Sequence, residues 1–252
     1  MKHKMKHHSL KQSGVGKFSY IFLAIMSVVF LFPMFLAIMV SITSHDSIRQ
    51  FGFQIIPTEF SLEAYRMLLD EYGSSLLRSM TLTVGTGIIQ PVLSIILTVC
   101  MAYPLSQPDF KGRDFWRKYL VVTMLFSGGL VPSYILITKY LHLGNTIWVH
   151  ILPGLISPWY VFMIRTFFQG IPEEIAESVF IDGGTDYTVF FKMILPLSKP
   201  VIAAVSLFMF LAKWNDWFTS MMYITNDRLI ALQYLLQRIM SNIQLIQESS
   251  GT

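Results

Sequence analysis

The chain has 252 residues, of which 53% are hydrophobic and only 13% are charged. Soluble domains carry about 25% charged residues, so this composition excludes an ordinary soluble globular protein and favours lipid as the solvent for the surplus of apolar side chains. The formal net charge of +4 does not indicate nucleic-acid binding, because the basic residues lie at the ends of apolar segments, where membrane topology places them.

Residues 1–17 form a basic tail ahead of the first apolar segment. The tail histidines, His3, His7 and His8, could suggest a metal site, but a solvated basic tail is the expected state of such a terminus. The one cysteine, Cys100, lies within an apolar run and has no partner for a disulfide within the chain. We therefore expect this chain to bind no metal and no cofactor.

Four segments without Asp, Glu, Lys or Arg are each long enough to cross a membrane as a helix. They are residues 18–42, 79–103, 119–138 and 143–164. The first is longer than the apolar core of a signal peptide and lacks a cleavage site, so it is predicted to remain as a span. A fifth span is predicted as one helix over residues 200–225, with polar residues in its middle.

Two of these spans contain residues that bend helices. Gly128-Gly129 and Pro132 lie in the third span, and Pro153 and Pro158 lie in the fourth, so both spans are predicted to be kinked. His150, also in the fourth span, is predicted to be hydrogen-bonded inside the helix bundle rather than to carry protons.

The distribution of Lys and Arg predicts a cytoplasmic N-terminus, because more of these residues then fall on the inner side of the membrane. This orientation places residues 43–78 outside, with a helix near residues 61–70. It also leaves residues 226–252 outside, and no stretch there is apolar enough for a sixth span. We expect the natural chain to continue past Thr252 into one more span.

The segment between the fourth and fifth spans, residues 170–197, has the pattern of two short helices on the cytoplasmic face. Pro172 suits a helix start, and Glu173 and Glu174 are favourable in a first turn. Gly183 and Gly184 can end this helix with a left-handed residue.

The second half of the same segment predicts the next helix. Thr185 or Asp186 can cap it, and Pro196 forces a change of direction before the fifth span. Three phenylalanines are available as apolar anchors on this face: Phe180, Phe190 and Phe191.

The full spacing of this segment resembles the EAA loop of ABC importer permeases, which has a Glu-Ala-Ala core, a fixed glycine and a later Ile-x-Leu-Pro-type ending. Glu177, Gly183 and Ile194-Leu195-Pro196 hold those positions here, and Asp182 precedes the glycine as in the carbohydrate class. Ser178-Val179 replaces Ala-Ala, but both residues are modest in size. In the family this loop is the coupling helix, which inserts into a groove of the ATPase subunit. The resemblance therefore implies ATPase coupling by eight residues: Glu173, Glu174, Glu177, Phe180, Asp182, Gly183, Phe190 and Phe191.

The predicted fifth span contains Trp214-Asn215-Asp216-Trp217, which is similar to a Trp-Asn-Asp/Glu-aromatic element of carbohydrate-type permeases. A carboxylate within lipid costs about 2.5–3.5 kcal/mol, so Asp216 is predicted to face protein or water, with Lys213 as its partner. Two interpretations stay open: Lys213, Trp214, Asn215 and Asp216 line the translocation pathway, or they make a structural polar pair between helices.

The resemblance extends over about residues 15–240 and includes Ser127-Gly128-Gly129-Leu130-Val131-Pro132 and Arg165-Thr166-Phe167-Phe168, which look like the maltose-type group. It implies an all-α integral membrane protein with the type I ABC importer permease fold, five spans in this chain and a sixth in the full protein. Residues 18–252 would form the permease domain. The implied substrate is a sugar or a complex oligosaccharide.

The resemblance also implies the partners and the compartment. These are a second homologous permease, two cytoplasmic ATPase subunits that hold ATP and Mg²⁺, an external solute-binding protein, and the bacterial plasma membrane. The chain lacks a phosphate-binding Gly-x-x-x-x-Gly-Lys-Ser/Thr motif, so it is not predicted to be the ATPase.

The sequence gives less support to other functions. A secondary transporter would often show inverted repeats, and none is evident. A membrane enzyme would need a catalytic arrangement near a span end, and none is present. A signalling or assembly subunit and a permease for a non-sugar solute stay as alternatives.

Overall fold

In a computed structural model, which describes residues 14–52 and 54–250, the chain is built from helices, with one isolated β-bridge between Thr43 and Phe60. The described residues up to Gly73 form one compact unit, and those from Ser74 onwards form another. The histidines of the predicted tail lie outside the described residues.

The first unit contains α1 (Gly14–Ser41), α2 (His45–Phe51) and the start of α3 (Glu63–Ser106). Helix α1 begins at Gly14, so the last residues of the predicted tail are helical, while the apolar span within this helix starts at Phe18. The Ser44 hydroxyl caps α2 by accepting a bond from the Ser47 amide at 3.2 Å. Gly52 ends α2 with a φ of 71°, which glycine adopts without steric cost.

Helix α3 is continuous over 44 residues. The prediction of a separate helix near residues 61–70, followed by a span from residue 79, is therefore wrong in its boundary. The intervening residues contain one glycine, Gly73, and no proline, and an isolated glycine costs a helix only about 1 kcal/mol. Nothing in this stretch forces the helix to end.

In its described residues, the second unit contains the rest of α3 and nine further α-helices, joined by turns, short 3₁₀ helices and irregular segments. They are α4 (Arg113–Leu125), α5 (Leu130–Ile135), α6 (Pro158–Gln169), α7 (Glu173–Ile181), α8 (Asp186–Val189), α9 (Leu195–Leu197), α10 (Lys199–Trp214), α11 (Phe218–Tyr223) and α12 (Leu232–Ser250). A π-helical turn, Leu136–Tyr140, extends α5, and another, Phe190–Ile194, joins α8 to α9.

The core of this unit lies where α3, α4, α6, α8 and α10 meet. Its buried apolar residues are Val99, Ala102, Leu105, Leu120, Val161, Ile164, Phe168, Val189, Phe190, Ile194, Val205 and Met209. Large apolar side chains also remain exposed along the long helices, as expected of surfaces that contact lipid or another subunit.

Among the described residues, the helices Phe18–Ser41 and Glu63–Ser106 are each long and apolar enough to cross a membrane alone. Three bent pairs would add a span each. Arg113–Leu125 with Leu130–Tyr140 bends by 109°, Ile147–Gly154 with Pro158–Gln169 by 45°, and Asp186–Leu197 with Lys199–Trp214 by 71°.

The breaks within the third and fourth predicted spans fall at or beside the glycines and prolines that predicted kinks. The fifth span differs from its prediction as one helix over residues 200–225. Helix α10 ends at Trp214, and α11 starts only at Phe218.

Candidate functional site

The first helix of the 170–197 segment ends in a left-handed glycine cap. Gly183 has a φ of 79°, and its amide bonds the Phe180 carbonyl at 3.0 Å. The Gly184 amide reaches the Val179 carbonyl at 2.8 Å, which completes a Schellman motif. The predicted break at Gly183 is confirmed, and α7 and α8 are separate helices on either side of it.

Gly184 is required for a different reason, which the sequence alone did not show. A Cβ atom on Gly184 would lie 2.4 Å from Cγ1 of Val179 and 2.8 Å from its carbonyl oxygen. A Cβ on Gly183, by contrast, would meet no atom within 4 Å. Gly183 therefore supplies the backbone conformation, and Gly184 supplies the space for the second helix to approach the first.

The caps of these two helices differ in part from their predictions. Pro172 occupies the N-cap of α7, one residue before the predicted position. Thr185 occupies the N-cap of α8, but its side chain makes no capping hydrogen bond. Pro196 lies just ahead of the 71° bend that precedes α10, as predicted.

Most of the residues predicted to contact an ATPase lie exposed on this segment: Glu173, Glu174, Glu177, Phe180, Asp182, Gly183 and Phe191. Phe190 is the exception, since it is only 7% exposed. Its prediction as an available anchor for a partner is wrong, because it belongs to the buried core.

Phe190 anchors the segment inward. Its ring centroid lies 4.7 Å from that of Tyr103 on α3, and Tyr103 also meets the Phe168 ring edge-on at 6.4 Å. Arg165 on α6 donates from Nε to the Leu105 carbonyl at 2.8 Å, near the C-terminus of α3, where a positive charge is favourable. Phe190 thereby joins the segment to the C-terminal end of α3, which in turn contacts α6.

A cluster of polar side chains lies at the break between α10 and α11. The Lys213 ammonium donates to Oδ2 of Asp216 at 2.8 Å, and these side chains are 10% and 22% exposed. Thr219 donates to the same carboxylate from its amide at 3.0 Å and from its hydroxyl at 2.7 Å. The predicted ion pair is present, and Asp216 also caps the first turn of α11.

Asp216 is thus a local cap at a helix break and does not bridge two separate spans. Asn215 donates to the Leu211 carbonyl at 2.8 Å and stays exposed, while the Trp214 ring packs on Phe210 with centroids 5.9 Å apart. The Lys213–Asp216 pair connects the end of α10 to the turn before α11, so both interpretations, lining of the pathway and a structural polar pair, stay predictions.

The Lys213–Asp216 pair lines a cavity of about 240 Å³. Its polar lining also includes Gln90 and Ser94 from α3 and His150 from the 3₁₀ turn Ile147–His150. His150 is buried, and its Nε2 donates to the Leu229 carbonyl at 3.1 Å, which confirms the prediction of a hydrogen-bonded histidine in the bundle.

Gln90 was not identified from the sequence. Its amide nitrogen donates to the Gly154 carbonyl at 2.7 Å, between residues 64 positions apart. A side chain on Gly154 would meet that nitrogen at 3.1 Å. The only hint in the sequence was an amide within an apolar span, where a polar group needs a partner.

Replacing Gln90 by leucine is expected to destabilise the assembled protein. The change would remove the hydrogen bond to Gly154 and leave the Gly154 carbonyl without this donor, which lowers the free energy of unfolding by about 1–3 kcal/mol. Thermal unfolding of the complete detergent-solubilised transporter would measure the effect. Gln237→Leu, at an exposed position of α12, is the matched control, and equal melting temperatures for the two variants would contradict the prediction.

No family model matches the chain, but individual proteins do. It is 34% identical to "Protein LplC" of Bacillus subtilis (strain 168), over 92% of this chain and 79% of that protein. It is 36% identical to the "Polygalacturonan/rhamnogalacturonan transport system permease protein YtcP" of the same organism, over 87% of this chain and 76% of the relative.

A solved structure shares the fold. It is the crystal structure of a bacterial ABC transporter involved in the import of the acidic polysaccharide alginate, with a TM-score of 0.78 and 25% identity over 92% of this chain and 82% of that chain. The resemblance inferred from the 170–197 segment is confirmed by these matches. The chain belongs to the family of membrane permease subunits that serve ABC importers of carbohydrates, and it is a transport subunit rather than an enzyme.

Proposed function

We propose that this chain forms half of the translocation pathway of an ATP-driven importer for an oligosaccharide in the bacterial plasma membrane. The N-terminus lies in the cytoplasm. A second permease completes the pathway, two cytoplasmic ATPase subunits bind ATP and Mg²⁺, and an external binding protein delivers the solute. The 170–197 segment couples this chain to the ATPase.

The observation that carries the proposal is that the 170–197 segment has two faces. The exposed face presents the carboxylates of Glu173, Glu174 and Glu177 together with Phe180, which is 47% exposed. The inward face, with Val189, Phe190 and Ile194, is part of the buried core. A force on α7 is therefore passed to packed helices instead of being lost in a mobile loop.

Helix α10 supplies a route from this segment to the polar cavity. It starts after the bend at Ser198 and ends at the break that carries Asp216. Its 16 residues span about 24 Å as a rigid rod. We infer that movement of the segment tilts α10 and changes access to the cavity lined by Lys213 and Asp216, which is an equilibrium coupling between two sites.

The names of similar proteins support a carbohydrate of more than one unit. They include the polygalacturonan/rhamnogalacturonan permease YtcP and the arabinooligosaccharides permease AraQ of Bacillus subtilis (strain 168). The alginate importer adds an acidic polysaccharide.

Cross-linking tests the proposed coupling. In a Cys100→Ser background, Glu177→Cys is expected to form a disulfide with cysteines placed along the groove of the ATPase subunit. The same cysteine should react with a membrane-impermeant maleimide only in inside-out vesicles. His142→Cys, at an exposed turn after α5, is the control and should react only in right-side-out vesicles. Labelling of Glu177→Cys from the outside would overturn both the orientation and the coupling role.

A further inference from the structure

A second cavity, of about 590 Å³, lies along the middle of α3 within the second unit. Its α3 wall runs from Ser74 to Ile89, and the opposite side is formed by Ile147 and Arg228. Two arginines, Arg78 and Arg228, are among its lining residues, and none of the described residues that line it is Asp or Glu. The lining therefore carries a net positive charge on a mostly apolar wall.

Neither arginine side chain has an acidic partner within the part of the chain that the structure describes. The carboxylate next to Arg228, that of Asp227, accepts a bond from Arg238 at 2.7 Å. This hydrogen bond raises the pKa of the Arg238 guanidinium. Asp227 is thus paired with Arg238, and among the described residues neither Arg78 nor Arg228 has an acidic partner for its guanidinium donors.

The backbone that carries Arg228 is fixed on both sides. The Asn145 side-chain oxygen accepts from the amides of Thr225 and Asn226 at 3.1 and 2.8 Å, and the Asn226 side chain accepts from the Arg228 amide at 3.0 Å. After it, the Leu229 carbonyl accepts from His150. The Leu232 amide donates to the Thr83 hydroxyl of α3 at 2.8 Å. Arg228 is therefore held beside α3 before any ligand arrives.

The remaining lining suits a sugar. The hydroxyls of Thr81 and Thr86 donate to backbone carbonyls of their own helix at 2.8 Å, so their oxygens remain as acceptors for ligand hydroxyls. Leu77 and Ile89 offer apolar surface for the C–H face of a sugar ring. Guanidinium groups bind carboxylates through paired, charge-assisted hydrogen bonds.

We propose that this cavity is a subsite for negatively charged sugar units and that Arg78 and Arg228 make the transporter selective for acidic oligosaccharides. This inference rests on the proposed function in oligosaccharide import. The chemical class is a chain of uronic acid units, which carries one carboxylate per sugar ring. A neutral oligosaccharide would leave both arginines without a charged partner.

The test compares two radiolabelled probes, trigalacturonate and neutral arabinotriose, in proteoliposomes of zwitterionic lipid. These contain the complete transporter, with its partner permease, ATPase subunits and binding protein. For Arg78→Gln with Arg228→Gln, we expect trigalacturonate uptake to fall about tenfold or more, as the loss of charge-assisted bonds implies. Lys139→Gln, an exposed basic residue that does not line this cavity, should leave the rate unchanged.

Each other outcome decides against the inference. Uptake of arabinotriose alone by the unmodified transporter would overturn it and leave the proposed function intact. Trigalacturonate uptake that the double variant does not alter would also overturn it. If the double variant lowered the uptake of an imported neutral oligosaccharide as strongly, or changed ATPase activity only in vesicles with anionic lipid, the arginines would serve a structural or lipid-headgroup role. If neither probe entered, the inference would be overturned, whereas the import function fails only if no oligosaccharide is taken up.

Discussion

Gly183→Val is expected to impair the coupling of transport to ATP hydrolysis strongly while leaving the subunit in the membrane. Gly183 has a φ of 79°, and the left-handed conformation costs an ordinary L-residue about 1–2 kcal/mol and a β-branched one more. A free-energy cost of this size lowers the population of the docked loop about tenfold or more. Substrate-stimulated ATPase activity should therefore fall about tenfold or more. The measurement is ATPase activity of the assembled transporter in proteoliposomes, with assembly checked by gel filtration.

Two further variants separate conformation from space at this turn. Gly183→Asn should retain most of the activity, because asparagine tolerates the left-handed region and a Cβ there meets no neighbour within 4 Å. Gly184→Ala should impair coupling although alanine is small, because its Cβ would collide with Val179. Normal stimulated ATPase activity in assembled Gly183→Val would show that the turn does not carry the coupling.

Asp216→Ala is expected to prevent accumulation of a stable transporter. The change would leave the Lys213 ammonium, only 10% exposed, without its partner, and α11 without its cap. Removing one member of a buried ion pair costs about 3–5 kcal/mol, which is a large part of the stability of a typical domain. The amount of assembled complex and its melting temperature measure the effect.

The double variant Lys213→Met with Asp216→Asn tests whether the pair also serves transport. It removes both charges and keeps an amide oxygen that can accept the bonds from Thr219, so assembly should largely recover. If uptake also recovers, the pair has a structural role alone. If the complex assembles but does not transport, the charges line the pathway. Full stability of Asp216→Ala would contradict the premise that the charge is confined and paired.

The sequence by itself determined the features that depend on a few neighbouring residues. Long runs without charge predicted where apolar helices lie, because the hydrocarbon core of a membrane tolerates few charged side chains. The glycine pair predicted the turn after α7, because positive φ is a property of the residue itself. The match of the 170–197 segment to the EAA pattern was sufficient to indicate the family.

Tertiary structure decided where side chains point and which distant residues meet. Phe190 and Phe191 are adjacent residues of the same type, yet packing on Tyr103 buries Phe190, while Phe191 stays exposed. The Gln90–Gly154 bond joins positions 64 residues apart. Such contacts depend on how whole helices approach one another, so no local pattern encodes them.

The helix boundaries also depend partly on the local sequence and partly on tertiary contacts. Hydropathy extended the fifth span through residues 200–225, because apolar character resumes after Trp214. The carboxylate of Asp216 bonds Thr219 and Lys213 and starts a new helix instead. The charged cavity of Arg78 and Arg228 likewise arises only when the turn before α12 is fixed against α3. The sequence specifies the length of each apolar segment and the backbone conformation that each residue can adopt. The packed helix bundle decides which polar groups line the same cavity.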